Sequence, residues 1–229
     1  MSLNIFGIDF HIYGLTLGFA ILAAFQGSSR LAAKRGVDKK IVESLFWWVV
    51  IGGILGARIY HVIDKWQEIY ILDPQSVLYL WNGGLGIWGA ILGGIASLLV
   101  YWQVKLKRRI DILTLMDIVL FGVPLGQAIG RWGNFFNNEL MGKNGEPLFF
   151  YESSLDLILF VSLVWLSKKK VRPGVIAGAY LLGYGLIRLS LEQLRPENII
   201  WKVGGIPAAS LVSVLAVICG TFLIWRRRS

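Results

Sequence analysis

Read for polarity alone, the chain is a series of long apolar runs broken by short polar links. Seven runs, near 11–28, 43–63, 84–103, 112–130, 151–167, 174–192 and 206–225, reach or approach the roughly 17–25 residues that a bilayer-crossing helix needs. The bilayer core offers no water to hydrogen-bond a backbone, so each run is expected to keep its amide bonds internal, as a helix does. The pattern predicts an all-α fold: a polytopic membrane protein built as a bundle of seven transmembrane helices. No linker, low-complexity tract or convincing internal repeat breaks the series, so residues 1–229 are expected to form a single integral-membrane domain.

The links alternate in charge. Arg30, Lys34, Arg35, Lys39 and Lys40 join the first two runs, and Lys105, Lys107, Arg108 and Arg109 join the third and fourth. Lys168, Lys169, Lys170 and Arg172 follow the fifth, and Arg226, Arg227 and Arg228 follow the last. With seven crossings these sixteen of the 23 Lys and Arg residues fall on one side. The other side holds Lys65, Arg131, Lys143, Arg195 and Lys202, with most of the acids. By the positive-inside rule the N-terminus is outside and the C-terminus cytoplasmic. The net charge of +9 is then a topology signal facing anionic lipid headgroups, and no nucleic-acid partner is expected.

Composition agrees. Charged residues make up 16% of the chain and hydrophobic ones 55%, against about 25% charged in ordinary soluble domains. The counts of 27 Gly and 10 Trp suit closely packed membrane helices with interfacial aromatic belts. The opening residues, MSLNIFGIDFHIYG, contain no Lys or Arg, so the basic start of a cleavable leader is not expected. The one cysteine, Cys219, lies in an apolar run and is expected to be a buried, inert thiol. With two separated histidines and one cysteine, neither a metal site nor a bound cofactor is expected.

Against this background the polar clusters stand out. GRWGNFFNNELMG, residues 130–142, brings Arg131, Asn134, Asn137, Asn138 and Glu139 together between Gly130, Gly133 and Gly142 at the outer end of the fourth run. Two readings are open for it: an interfacial loop whose polar groups satisfy one another, or a binding site. In the sixth run Arg188 and Glu192 stand four residues apart, on one helix face, and Arg195 and Pro196 follow. Arg131 and Arg188 both fall on the outer half, where two guanidinium groups suit a phosphate clamp. Tyr13 opens the first run, Arg58 lies within the second, and residues 81–94 carry small residues spaced for close helix packing or for a groove.

These residues resemble a known family. GRWGNFFNNELMG is similar to the signature G-R-x-G-N-F-x-N-x-E-x-x-G of the bacterial prolipoprotein diacylglyceryl transferases at every fixed position. HIYGL at 11–15, GARIYHV at 56–62, NGGLGIWGAILGG at 82–94, YE at 151–152 and RLSLEQLRPEN at 188–198 agree in order along the chain. The resemblance implies transfer of the diacylglyceryl group of phosphatidylglycerol to the lipobox cysteine thiol in the signal peptide of a prolipoprotein. A thioether forms and glycerol 1-phosphate leaves. It implies a multi-pass enzyme of the bacterial cytoplasmic membrane, with its active site towards the outer leaflet. Arg131, Arg188, Glu139 and Glu192 become the expected catalytic residues. Tyr13, Arg58, Trp88, Arg131, Asn134, Asn138 and Gly142 become the expected substrate contacts. Many members carry His where Trp88 stands, and indole cannot accept a proton as imidazole does. The base therefore lies elsewhere or is not required there.

A thiolate attacking the glycerol carbon would leave growing charge on the departing phosphate, which Arg131 and Arg188 are suited to stabilise in a water-poor site. Glu139 and Glu192 are expected either to orient the arginines or to accept the thiol proton. The competing reading is a transporter or channel for a small anion, lined by the same arginines. The alternation of charge makes one direct prediction. Cysteines introduced singly at Lys143 and Lys169 should be labelled from opposite faces of the membrane by an impermeant thiol reagent, and labelling from one face would overturn seven crossings.

Overall fold

A computed structural model of the chain describes residues 2–5, 8–137 and 139–226; Asn138, Arg227 and Arg228 lie outside them. Two strands, β1 (Ser2–Ile5) and β2 (Ile8–His11), pair antiparallel from Ser2 opposite His11 to Ile5 opposite Ile8. Helices α1 (Ile12–Lys34), α2 (Lys39–Asp64), α3 (Ile87–Val100), α4 (Ile112–Phe136), α5 (Leu148–Ser167), α6 (Val175–Glu192) and α7 (Ala208–Arg226) follow. Strands β3 (Lys202–Val203) and β4 (Ile206–Pro207) form a second hairpin before α7. Its turn residues Gly204 and Gly205 have φ of +58° and +82°, a left-handed pair that side chains resist and two-residue hairpins require. Among the described residues, seven helices are long and apolar enough to cross a membrane, α3 counting with the π-turn Tyr101–Lys105 that continues it.

The spans match the seven runs in number and order, with one informative shift. Helix α4 continues six residues beyond Gly130 to Phe136, so half of the polar motif is helical rather than a loop. Gly130 and Gly133 are poor helix formers, yet here they make room for α1. A side chain at Gly133 would meet the ring of Tyr13 at 2.9 Å. Pro124 also sits inside α4, a place membrane helices tolerate when neighbouring groups re-satisfy the backbone.

The helices sort into two compact units, residues 1–35 with 113–229 and residues 36–112. In the first, Leu31, Phe121, Leu159, Leu163, Ile176 and Tyr180 form an apolar core from α1, α4, α5 and α6. Beside it Asp117 of α4, fully buried, accepts from the backbone N–H groups of Gly174 at 2.9 Å and Ala177 at 2.7 Å. It thus caps the N-terminus of α6 from a different helix. Arg35 at the end of α1 closes the pair, 2.7 Å from the same carboxylate. Cys219, expected inside, is exposed on α7. The reason is the helix face: Ser213, Val217, Gly220 and Ile224 are on the side of α7 that packs on α6, against Gly178 and Gly185.

The second unit is an α2–α3 pair held by backbone proximity. Gly52 and Gly56 of α2 lie against Gly89 and Gly93 of α3, where a Cβ on any of the four would overlap main-chain or side-chain atoms of the partner. Of the two uses open for residues 81–94, helix packing is the one observed. Gly89→Val should therefore force α2 and α3 apart and cost about 1–3 kcal/mol. Gly94→Ala, which meets only Val49 at 3.7 Å, should be close to neutral in thermal unfolding in detergent. Equal effects of the two substitutions would refute this packing.

Candidate active site

Three elements of the first unit build a polar column. Helix α6 contributes Tyr180, Tyr184, Arg188 and Glu192 at intervals of four, a stripe along one face. Helix α5 contributes Glu152 and Asp156 with the same spacing, and α4 contributes Gln127 and Arg131. The α4–α5 contact is fixed nearby by a hydrogen-bond chain. The Trp132 indole N–H donates to Ser153 Oγ at 3.1 Å, and that hydroxyl donates to the Ala128 carbonyl at 2.8 Å. Tyr180 donates to Gln127 Oε1 at 3.2 Å and stacks on Tyr184, with ring centroids 5.7 Å apart.

Glu152 is the centre of the column. Its side chain is 4% exposed, and three arginines share it: Arg131 Nε at 2.5 Å, Arg188 at 3.3 Å and Arg195 at 3.6 Å. Glu192 holds the other side of two of them, 2.7 Å from Arg188 and 3.8 Å from Arg195. Burial, and then the neighbouring Arg188 charge, hold the Arg195 guanidinium below the ordinary arginine range. Asp156, fully buried one turn from Glu152, makes no hydrogen bond through either oxygen and lies in the field of Arg131. Three guanidiniums thus face two carboxylates at the end of the column. Beside them a cavity of about 410 Å³ is lined by Glu192, Arg195, Lys143, Glu197 and Lys202, among others.

The motif residues sit next to this cluster in the same unit. Asn134 donates to Glu139 at 3.1 Å and Asn137 donates to it at 3.4 Å, so the Glu139 carboxylate organises the end of α4. Leu140 adopts φ +61°, an unfavourable backbone for a bulky side chain. The Gly142 N–H donates to the Glu146 carbonyl at 2.7 Å, and a Cβ on Gly142 would run into the Glu146 carboxylate. Asn144 donates to that carboxylate from backbone and side chain at 2.9 Å and, as the leading cause, holds it below the usual carboxylate range. The Lys143 N–H donates to the Leu194 carbonyl at 2.8 Å, tying the motif loop to the end of α6.

The structure therefore brings Tyr13, Arg131, Asn134, Glu139, Gly142, Arg188 and Glu192 into one unit, and places Arg58 and Trp88 in the other. Arg131 and Arg188 converge, but on the carboxylate of Glu152. Arg58, expected to touch substrate, spends its fork on the main chain. It donates to the carbonyls of Val77 at 2.9 Å, Gly83 at 2.7 Å, Gly84 at 3.1 Å, Tyr79 at 3.3 Å and also Ser76. It is the clasp of the 76–84 connection. Trp88 is a half-buried residue in the first turn of α3. Glu152, Asp156, Tyr184 and Arg195 were not among the expected site residues. One signal for the first two is legible: two carboxylates four residues apart in FYESSLDLILF form a same-face acidic pair that a membrane helix carries only for a reason.

The sequence pattern of the prolipoprotein diacylglyceryl transferases matches residues 1–226. The chain belongs to this family. It is 37% identical over 243 residues to the phosphatidylglycerol–prolipoprotein diacylglyceryl transferase of Synechococcus elongatus, covering 93% of this chain and 82% of the relative. The transferase of Gloeobacter violaceus is 34% identical, with 100% and 93% covered, and that of Halalkalibacterium halodurans 33%, with 95% and 82% covered. The chain is accordingly a membrane-embedded transferase, and the anion-pathway reading has no support.

Glu152→Ala should cost about 3–5 kcal/mol in unfolding, since it strands three guanidiniums beside a buried gap. In a double-substitution cycle with Arg188→Ala, the combined loss should be clearly less than the sum. Strictly additive losses would mean that Glu152 does not organise the cluster.

Proposed function

We propose that the arginine cluster around Glu152, together with the 130–142 motif, is the active site of diacylglyceryl transfer. As a member of its family the chain moves the diacylglyceryl group of phosphatidylglycerol to the cysteine of a prolipoprotein. A C–S thioether forms, a C–O bond to phosphate breaks, and glycerol 1-phosphate departs. The observation that carries the assignment is the sharing of Glu152 by Arg131, Arg188 and Arg195 beside an open cavity.

The chemistry follows from charge. Phosphatidylglycerol carries one negative charge on a phosphodiester. Thiolate attack at the glycerol carbon displaces a phosphomonoester that leaves with one more. Guanidiniums fixed in advance, in surroundings that exclude water, stabilise such developing charge most effectively. Glu192 and Glu152 orient the arginines. Glu139 is engaged by two asparagines rather than by an arginine, and is the carboxylate best placed by chemistry to take the thiol proton. In this reading Tyr13, Asn134, Asn138 and Gly142 are contacts of the headgroup, and Trp88 and Arg58 are further proposed substrate contacts. The alternation of basic links supports an N-terminus outside, a C-terminus in the cytoplasm, and a site towards the outer leaflet. One transferase domain spanning both helical units is part of the same reading.

The test is transfer from labelled phosphatidylglycerol to a lipobox peptide by the purified protein. Arg131→Ala and Arg188→Ala should each lower turnover at least about a hundredfold, the loss expected for one preorganised charge donor. Arg131→Lys should remain impaired, because an ammonium cannot reproduce the planar fork. Trp88→Phe should retain most transfer. An inactive wild type that gains transfer on Trp88→His would restore an imidazole base and overturn the assignment.

A further inference from the structure

At the other end of the first unit, the C-terminal ends of α1 and α5 and the N-terminal end of α6 enclose a cavity of about 370 Å³. Asp117 near this end and Arg131 are 14 positions apart on α4, or about 21 Å along the helix, so the cavity is separate from the active site. Lys34, Arg35, Lys168, Lys169, Lys170 and Arg172 line it, and no carboxylate does. Its floor is apolar: Leu31 is 2% exposed and Ile176 fully buried.

Topology signalling explains why cations occur at this end, but not why six of them border one concavity with a greasy floor. Two features show that the rim is built. Arg35 is held from behind by Asp117 at 2.7 Å, and that carboxylate is already shared with two α6 amides. One edge of the Arg35 guanidinium is thereby fixed while the residue still borders the cavity. Lys169 rests over the Trp165 ring at 3.6 Å, and Lys34 donates to Ser167 Oγ at 3.5 Å. Neutral partners position these charges without cancelling them. Like charges gathered around one cavity repel one another, and a bound anion relieves that repulsion.

We infer that this cavity binds a phosphate group, with the chemistry of an anionic phospholipid headgroup. Basic pockets between membrane helices recognise headgroups in this way. The inference does not depend on the transferase assignment, since no residue of the cavity belongs to the proposed active site.

The experiment uses delipidated full-length protein in detergent, with phosphatidic acid as probe and phosphatidylcholine of the same acyl chains as the neutral comparison. Bound lipid is counted by native mass spectrometry. Wild type should retain phosphatidic acid selectively. Lys34→Gln with Arg172→Gln should bind it at least about tenfold more weakly, since each interfacial cation contributes on the order of fivefold. Lys105→Gln with Lys107→Gln removes the same charge from another basic link and should bind as wild type does. Competition by inorganic phosphate distinguishes the sources. Displacement at millimolar phosphate identifies a site that free phosphate also fills, and resistance identifies the lipid; both uphold a phosphate site. Equal losses in the two variants, or equal retention of the two lipids, would overturn it. Should the cavity variant not fold, a photoactivatable phosphatidic acid on wild type gives a second reading. Adducts must map to 31–35 and 167–176, and a scatter over the other basic links would refute the proposal.

Discussion

An ionised carboxylate buried in a membrane helix must be met by cations or take up a proton, and Glu152 meets three cations. That constraint explains more of the first unit than any apolar contact does. Arg131 comes from α4, Arg188 from α6 and Arg195 from the turn after α6, so one side chain on α5 fixes the relative placement of three segments. Apolar packing between membrane helices is poorly directional, because lipid tails are as good a neighbour as leucine. Ion pairs under burial are the opposite: costly when mismatched and tolerant of few geometries. Asp117 repeats the logic at the other end, where it joins α1 to α4 through Arg35 and caps α6 through two amides. The two carboxylates act as fixed points between which the helices run.

Where charges do not set the geometry, the absence of side chains does. Gly52 and Gly56 against Gly89 and Gly93 let two backbones approach to a distance that any Cβ would forbid. The close approach then positions Arg58, buried on α2, beneath the loop it clasps. Five carbonyls facing one guanidinium satisfy both sides of the account at once: the loop carbonyls find donors and the charge finds a dipole cage. An arginine inside a membrane helix is thus no sign of a substrate by itself.

The helices were legible in the sequence because hydropathy over about twenty residues is a strong signal and the bilayer permits few alternatives. Their ends were less so. Glycines at 130 and 133 read as turn residues, yet α4 runs through them because Tyr13 packs on the bare face of Gly133, a long-range fact. The motif announced itself by the density of Arg131, Asn134 and Glu139 in a greasy chain. The acidic pair Glu152 and Asp156 marks its helix as unusual, but nothing in it shows which cations will reach Glu152 from 21 and 36 positions away. The partners of Arg58 were hidden for the converse reason: they are backbone carbonyls, which every sequence contains and none displays. Cys219 turned outward because the face of α7 carrying Ser213, Val217, Gly220 and Ile224 meets α6, and an apolar segment does not reveal which of its faces is covered.

Under the proposed function, the cluster bears on what an arginine-rich active site needs before its substrate arrives. Three guanidiniums held together without counter-charge would repel one another and fold poorly. Glu152 and Glu192 remove most of that repulsion, and Asp156, one turn from Glu152, adds a third carboxyl group within the field of Arg131. Of the three guanidiniums Arg195 lines the cavity, in a geometry already set by folding. A phosphodiester entering such a site meets donors that need no reorganisation, and the second negative charge that appears as the C–O bond breaks is met by the same groups. Carboxylate and phosphate bind guanidinium by the same planar, two-oxygen geometry. The resting ion pairs are thus a template of the charge distribution that the departing glycerol phosphate completes.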